Sequence, residues 1–307
     1  MAVCLGLIAT ATKGAGMAAH SAYVIWYMRG RGDDGVLFLM SDGIGVGYGA
    51  RPFADGNDAV YLVAQENYPA EFLEAIYPVR LRRYAINPDS GGPGLWRGGC
   101  GIIREFELLT SEAIISVRID GIDFPPWGVN GGREGGAGRC VINPGRADQR
   151  TAAPISDGTV IRRGDVVRIE TGGGGFGHPF DREAELVLAD VRAGFVGAAS
   201  AKRDYGVVLT PDLTIDQAAT RRRRERRSPI ALFQDGPFLE LGLKTIRGER
   251  IALPRRRADA RRVPDSCTMS PAPGVSHQII ALPRPCETGA VHIWVPVAVR
   301  ASTAIFR

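Results

Sequence analysis

The sequence predicts an α+β fold: a strand-rich core with glycine-rich loops, then a few late helices and an irregular C-terminal tail. Three observations point there. Short apolar or alternating runs bounded by turn residues fill much of residues 36–171, whereas helical spacing gathers after Asp181. Glycine and proline are abundant, at 40 and 20 residues, as many turns between short strands require. The whole chain of 307 residues is 45% apolar and 23% charged, enough to bury a real core.

Residues 1–35 define no clear element, because Ala18–Met28 mixes aromatic and aliphatic residues without a period, and Arg29–Asp34 reads as a turn. A first strand is expected at Val36–Met40, ending in the glycines from Gly43 to Gly49. Pro69–Tyr77 has Phe72, Leu73 and Ile76 at helical spacing with Glu71 in the first turn, so a short helix is expected. Pro78 then releases a strand at Val79–Ile86, where Val79, Leu81 and Arg83 alternate with Arg80, Arg82 and Tyr84. Asn87–Gly94 is turn-rich. Gly101–Leu109 and Glu112–Ile119 read as a hairpin around Thr110–Ser111, Pro125–Gly138 as a loop, and Val160–Thr171 as a turn leading into an alternating strand. Asp181 is placed to cap a helix through Arg192, stopped by Gly194, with Leu186, Val187 and Val191 on one side. A second short helix is expected before Gly206, a strand at Val207–Leu209, and a final helix at Thr214–Arg227.

The organisation is therefore an N-terminal segment 1–35, a main region 36–227, and a proline- and arginine-rich tail 228–307 in which neither period is sustained. That tail reads as an addition without a stable fold of its own. Residues 221–262 hold 13 arginines, Lys244 and five acidic residues, a net +9, which leaves −4 for the rest of a chain of net +5. With three lysines in all, the arginine bias reads as GC-rich coding. The run Arg221–Arg227 lacks nearby aromatics for base stacking, which argues for a solvated helix end over nucleic-acid binding. No run reaches the roughly 18 apolar residues of a membrane span. Five scattered cysteines with no CxxC pair suit a reducing, cytoplasmic compartment and exclude a cysteine zinc cage.

Two stretches are too particular in wording to be generic loop: GYGARPFADGND at Gly47–Asp58 and RYAINPDSGGPGLWRGG at Arg83–Gly99. With PPWGVNGG at Pro125–Gly132, RRGDVVRIETGGGGFG at Arg162–Gly177, DREAELVLADVRAG from Asp181 and DYGVVL from Asp204, they form an ordered set. From about Val36 to Arg227 the chain resembles the C-terminal part of the hydantoinase B / 5-oxoprolinase family. The resemblance implies a B-type component of an ATP-dependent cyclic-amide hydrolase. Its A-type ATPase partner activates the amide carbonyl, and the substrate is a small lactam or imide such as 5-oxoproline or a hydantoin. ATP is then expected on the partner. The family also implies a divalent metal, held by acidic and histidine residues of an N-terminal part. Its Asp-Pro-Tyr segment and following histidine have no equivalent in these residues, and Tyr61 and Val63 stand where many members carry histidines. These departures leave the metal ligands unassigned and raise a second expectation, a truncated relic that only binds the partner subunit.

Beside the resemblance, Arg51, Asp55 and Asp58 are the candidate catalytic residues of the first loop, with Tyr48 as a substrate contact. Two carboxylates three apart beside an arginine can orient a substrate carboxylate or a metal, or can simply close an Asx-type turn. Gly172, Gly173, Gly174 and Gly175 follow a strand and precede a helix, as a phosphate cradle does, but lack the Lys-Ser/Thr of a P-loop. Close backbone approach is the alternative. His178 is a candidate general base or a backbone-bonded loop residue. Trp96 and Trp127 read as loop anchors or partner contacts, and Asp89–Ser90 as a tight turn.

Overall fold

The computed structural model describes residues 2–21, 24–61, 66–227 and 230, so the tail expected at 228–307 lies almost wholly outside the described residues. The elements are α1 (Ala2–Ala11), β1 (Val24–Arg31), β2 (Leu37–Gly43), α2 (Ala70–Ile76), β3 (Val79–Ile86), β4 (Ile102–Leu108), β5 (Glu112–Ile119), β6 (Arg139–Ile142), β7 (Arg150–Thr151), β8 (Ile155–Arg162), β9 (Val166–Glu170), α3 (Ala184–Ala193), α4 (Ala198–Asp204) and α5 (Gln217–Arg224). The strands form two antiparallel sheets, ordered β2-β1-β5-β8 and β3-β4-β9-β6-β7. Three helices gather after the last strand, the α+β arrangement the sequence predicts, while α1 precedes β1 in a segment where the sequence defines no clear element and α2 lies between β2 and β3.

Both sheets contribute to one apolar cluster, which includes Trp26 and Met28 of β1, Phe106 of β4, Ile115 and Val117 of β5, Ile161 of β8 and Ile169 of β9. Trp26 of the first sheet stacks on Phe106 of the second with ring centroids 4.4 Å apart. β1 is central, although its segment shows no period in sequence. Val24, Trp26 and Met28 point inward and are buried, but Ile25 and Tyr27 on the other face are apolar too and half-buried, so the alternation is hidden.

The hairpin expected around Thr110–Ser111 does not form. β4 pairs with β3 and β9 in one sheet, and β5 with β1 and β8 in the other. A two-residue hairpin turn needs residues that accept positive φ, which threonine and serine resist, so the chain crosses between sheets instead. β8 and β9 make the same crossing alongside, and the two are tied by Gly164 N–H to Leu108 O at 2.9 Å and Leu108 N–H to Asp165 O at 3.0 Å.

The helical region has a separate small core of Ala184, Val187, Val196, Ala201, Tyr205 and Val207. α3 starts after Glu183, not at Asp181. Asp181 lies in a single 3-10 turn, Pro179–Asp181, and accepts two hydrogen bonds from Arg227 at 2.6 and 2.8 Å. The buried face of α3 is Ala184, Val187 and Asp190, while Leu186 is exposed. Gly194 ends the helix at φ 80°. α5 is capped by Asp216, which accepts from Ala219 N–H at 2.9 Å. Val207–Leu209 supplies a single bridge, Leu209 to Ile215, in place of a strand.

Candidate functional site

The glycine-rich segments converge on one another. Residues 47–50, 91–99, 126–136 and 172–177 meet backbone on backbone, and the run from Gly172 lies at their centre. Ala50 N–H donates to Gly174 O, Gly174 N–H to Ala19 O, Gly175 N–H to Arg133 O, Gly92 N–H to Gly173 O, and Phe176 and Trp96 bond reciprocally, all at 2.6 to 2.9 Å. A Cβ at Gly174 would lie 2.1 Å from Trp127 O, and one at Gly47 would lie 1.8 Å from Gly99 O. Glycine is required here because carbonyls occupy the space a side chain would fill. The amides of Gly173, Gly174 and Gly175 already point at carbonyls, so the run offers no row of free donors to a phosphate.

α1 covers this hub through Ala9, which clusters with Ala18, Ala50, Val129 and Phe176 and with the half-buried Trp96 and Trp127. Trp96 Nε1 donates to Pro52 O at 3.0 Å, and Tyr48 stacks on His20 with centroids 4.8 Å apart.

Around the hub runs a chain of alternating charge, buried at its arginines and Asp190 and half-buried at Asp55 and Asp58. Arg97 holds both oxygens of Asp58, at 2.8 and 3.2 Å, and its Nε is 3.5 Å from Asp190. Arg182 holds Asp190 at 2.9 Å and both oxygens of Asp55 at 2.8 Å each. Arg97 N–H also donates to Asp55 at 2.7 Å, which closes the ring. Arg97 and Arg182 are 3% and 2% exposed, and Arg97 lies over the Phe195 ring at 4.8 Å. Burial works against the charge on Arg97, but the hydrogen bond and charge of Asp58, with Asp190 behind it, hold it firmly protonated. Burial pushes Asp190 up, against Arg182 and Arg97. Three carboxylates face two guanidiniums, so the ring carries a formal −1 when all are ionised.

Arg51, Asp55, Asp58 and Tyr48 thus share one loop, and the two aspartates stand at opposite ends of the ring. Arg51 closes the loop on itself, donating to Asp55 O at 2.8 Å and Asn57 Oδ1 at 3.0 Å. His178 is 3% exposed and accepts from Phe180 N–H at 3.1 Å. Burial, then the charge of Arg227, lowers its pKa; Asp181 opposes and Arg133 adds to the lowering, and none of these belongs to the Asp55–Asp58 loop. The partners Arg97, Arg182 and Asp190 are absent from the sequence-derived candidates. All three nevertheless lie inside the worded segments, Arg97 in Arg83–Gly99 and Arg182 and Asp190 in the stretch from Asp181, and Asp190 falls on the buried face of α3 at the spacing of Ala184 and Val187.

Cys100, on the strand entry after this loop, is buried, receives Arg97 Nη1 at 3.4 Å, and has its thiol pushed up to about 11 by burial, so it is not a poised nucleophile. Ser90 is also engaged, donating to Asn87 O and accepting from Gly101 N–H. A divalent metal does not fit what is described. Asp55 and Asp58 have their oxygens on guanidiniums, and among the described residues no three histidine, cysteine or acidic side chains group together. Among the described residues, no helix is long and apolar enough to cross a membrane.

Known proteins resemble this chain in sequence and in fold. An uncharacterized protein of Methanocaldococcus jannaschii is 38% identical over 165 residues, 52% of this chain and 28% of the relative. The caprolactamase subunit beta of Pseudomonas jessenii is 35% identical over 160 residues, 50% of this chain and 27% of the relative. The crystal structure of the ATP-dependent caprolactamase from Pseudomonas jessenii superposes with a TM-score of 0.63 at 27% identity, covering 70% of this chain and 40% of that one. The chain therefore spans under a third of the length of these curated relatives. The profile of the Hydantoinase B/oxoprolinase family matches residues 1–179, which takes in both sheets, the glycine hub and the Asp55–Asp58 loop; the chain belongs to that family.

Proposed function

We propose that this chain is a B-type component of an ATP-dependent cyclic-amide hydrolase, taking part in C–N bond hydrolysis after an A-type ATPase subunit has activated the carbonyl. The family match over residues 1–179 carries the reading, supported by the shared fold of an ATP-dependent caprolactamase. An amide resists water because nitrogen donates into its carbonyl. Phosphorylating the oxygen ends that donation and supplies a better electrophile, which is what the nucleotide contributes. The occupied amides of Gly173–Gly175 favour placing the nucleotide on the partner. The substrate class is a small ring amide, such as 5-oxoproline, a hydantoin or a lactam, handled in the cytoplasm.

Within this reading Arg51, Asp55, Asp58 and His178 act by position. They fix the loop carrying Tyr48 and the hub carrying Gly172–Gly175 at the face offered to substrate, and the reacting groups come from elsewhere in the assembly. The saturation of Asp55 and Asp58 by Arg182 and Arg97 also favours a second reading, a relic that binds the A-type subunit without supporting turnover.

The test is ATP-dependent ring opening of 5-oxoproline, hydantoin and caprolactam by an A-type subunit of the family, with and without this chain. Turnover that requires this chain is expected. Stable association without turnover selects the relic, and neither association nor turnover sinks both readings. Arg51→Ala, which touches only its own loop, is expected to lower kcat/KM about tenfold with little change in Tm.

A further inference from the structure

We propose that the outer edge of β2 and the groove beside it take up an extended apolar segment from the part of a hydantoinase B-family chain that lies outside the matched stretch. The segment pairs with β2 as the next strand of the first sheet. This concerns assembly and stands independently of the catalytic reading.

Among the described residues the two sheets end at β2, β8, β3 and β7. Natural sheets protect exposed edges with charge, bulges or brevity. β3 carries Arg80, Arg82 and Arg83 and breaks register between Leu81 and Arg83. β8 carries Asp157 and a positive-φ Gly158, and its pairing with β5 shifts register. β7 is two residues long. On β2 the one charge, Asp42, is turned inward near the strand's end, Leu37–Ser41 carry none, and the strand pairs with β1 in unbroken register from Ile25↔Gly43 to Arg31↔Leu37.

The same strand shows apolar side chains to solvent. Leu37 is 68% and Leu39 66% exposed, with Val36 before them at 62%. Along the edge runs a groove of about 610 Å³, whose far wall is Ala75, Ile76, Tyr77 and Pro78; Ile76 is 54% exposed. A regular edge with apolar residues beside it and an apolar wall opposite is the geometry of strand addition: backbone bonds supply affinity, and alternate side chains seat in the groove.

The occupant follows from length and shape. About seven-tenths of each relative lies outside the aligned stretch, which covers 28% and 27% of their chains. In those relatives the remainder shares a polypeptide with the matching stretch and so meets it at high effective concentration. A second copy, pairing β2 with β2 antiparallel across a two-fold, is the competing occupant, and the oligomeric state decides between them. At the groove mouth Asp33 is already held by Arg163, and the exposed carboxylate of Asp34, which accepts from Val36 N–H at 2.9 Å but faces no cation among the described residues, favours a basic residue in the segment.

The experiment uses the full chain with two probes: the Pseudomonas jessenii caprolactamase subunit beta deleted of its matching stretch, and short overlapping peptides tiling that same remainder, which need not fold. Binding is read by fluorescence anisotropy, and oligomeric state by light scattering. One probe is expected to bind. Leu39→Lys on β2 should weaken it about tenfold or more, as a charge in an apolar contact does, while Ile155→Lys on β8 leaves it unchanged. Binding by no probe, or binding indifferent to Leu39→Lys, overturns the proposal. A chain that self-associates and is made monomeric by Leu39→Lys also overturns it, assigning the edge to a second copy.

Discussion

Between the sheets the fold is held by side chains; at the glycine hub it is held by backbone and buried charge. Trp26, Phe106, Ile115 and Ile169 fill the first region, each one apolar body among others. In the second, carbonyls sit where side chains would be, and two arginines link three aspartates drawn from a loop and a helix. An apolar interior can relax around a missing methylene, whereas a carbonyl 2.1 Å from an added Cβ has nowhere to go. The hub is therefore the less forgiving region, although it buries less hydrocarbon.

Gly174→Ala is the sharpest way to break that contrast and should have the largest effect. Its Cβ would meet Trp127 O at 2.1 Å, inside a lattice of main-chain hydrogen bonds that cannot shift singly. No folded protein is expected by circular dichroism and cooperative melting. A variant that melts within a few degrees of the parent would show that the hub yields.

Arg182→Met comes next. It leaves Asp190, 8% exposed, with only Arg97 Nε at 3.5 Å, and frees Asp55, so a loss of about 3–5 kcal/mol in urea unfolding is expected. Adding Asp190→Leu should restore part of it, because the double change leaves no unpaired buried charge at that point. Equal losses in the single and double variants would mean that the ring contributes packing and not electrostatics.

A buried ion pair in the sandwich sharpens the comparison through pH. Arg104 Nη1 lies 2.7 Å from Asp42 Oδ2 with both side chains 2% exposed, and burial pushes Asp42 up to about 6 from 3.8 despite Arg104 and the Gly43 N–H. A folded-state pKa above the unfolded one means that folding takes up a proton between those values. The contribution is thus whole below about 3.8 and lost as pH rises through about 6. The stability difference between the parent and Asp42→Asn, measured from pH 4 to 7, should move against the parent by up to about 3 kcal/mol. A flat difference would show that Arg104 keeps Asp42 ionised throughout.

What the sequence made legible follows the same division. β3 occupies Val79–Ile86, the expected bounds, although its alternation holds only to Leu81, where the register shifts and Arg82, Arg83 and Tyr84 are all exposed. α2 lies inside Pro69–Tyr77, with Leu73 alone of its spaced apolar residues buried. β1 was hidden by apolar residues on both faces. The separation of β4 and β5 into different sheets was hidden because adjacency in sequence says nothing about which sheet a strand joins. At the hub, wording marked the segments that hold Asp55, Asp58, Arg97, Arg182 and Asp190, but not which of these pair. Arg97 is 39 residues from Asp58 and Arg182 is 127 from Asp55, and no local pattern records such a pairing. The glycine run was legible as unusual, yet cradle and backbone contact read alike until its amides are traced to Ala19 O and Arg133 O.

Ile115→Val tests the other half of the comparison and should have the smallest effect. Ile115 is fully buried in β5, among side chains from both sheets, and the change removes one methylene without adding a polar group or breaking a hydrogen bond. A loss of about 1 kcal/mol is expected, with an unchanged urea m-value, since the neighbouring aliphatic groups can close most of the gap. A loss of several kcal/mol would mean that the sandwich is as rigid as the hub, and the division between a tolerant side-chain core and an intolerant backbone core would fall.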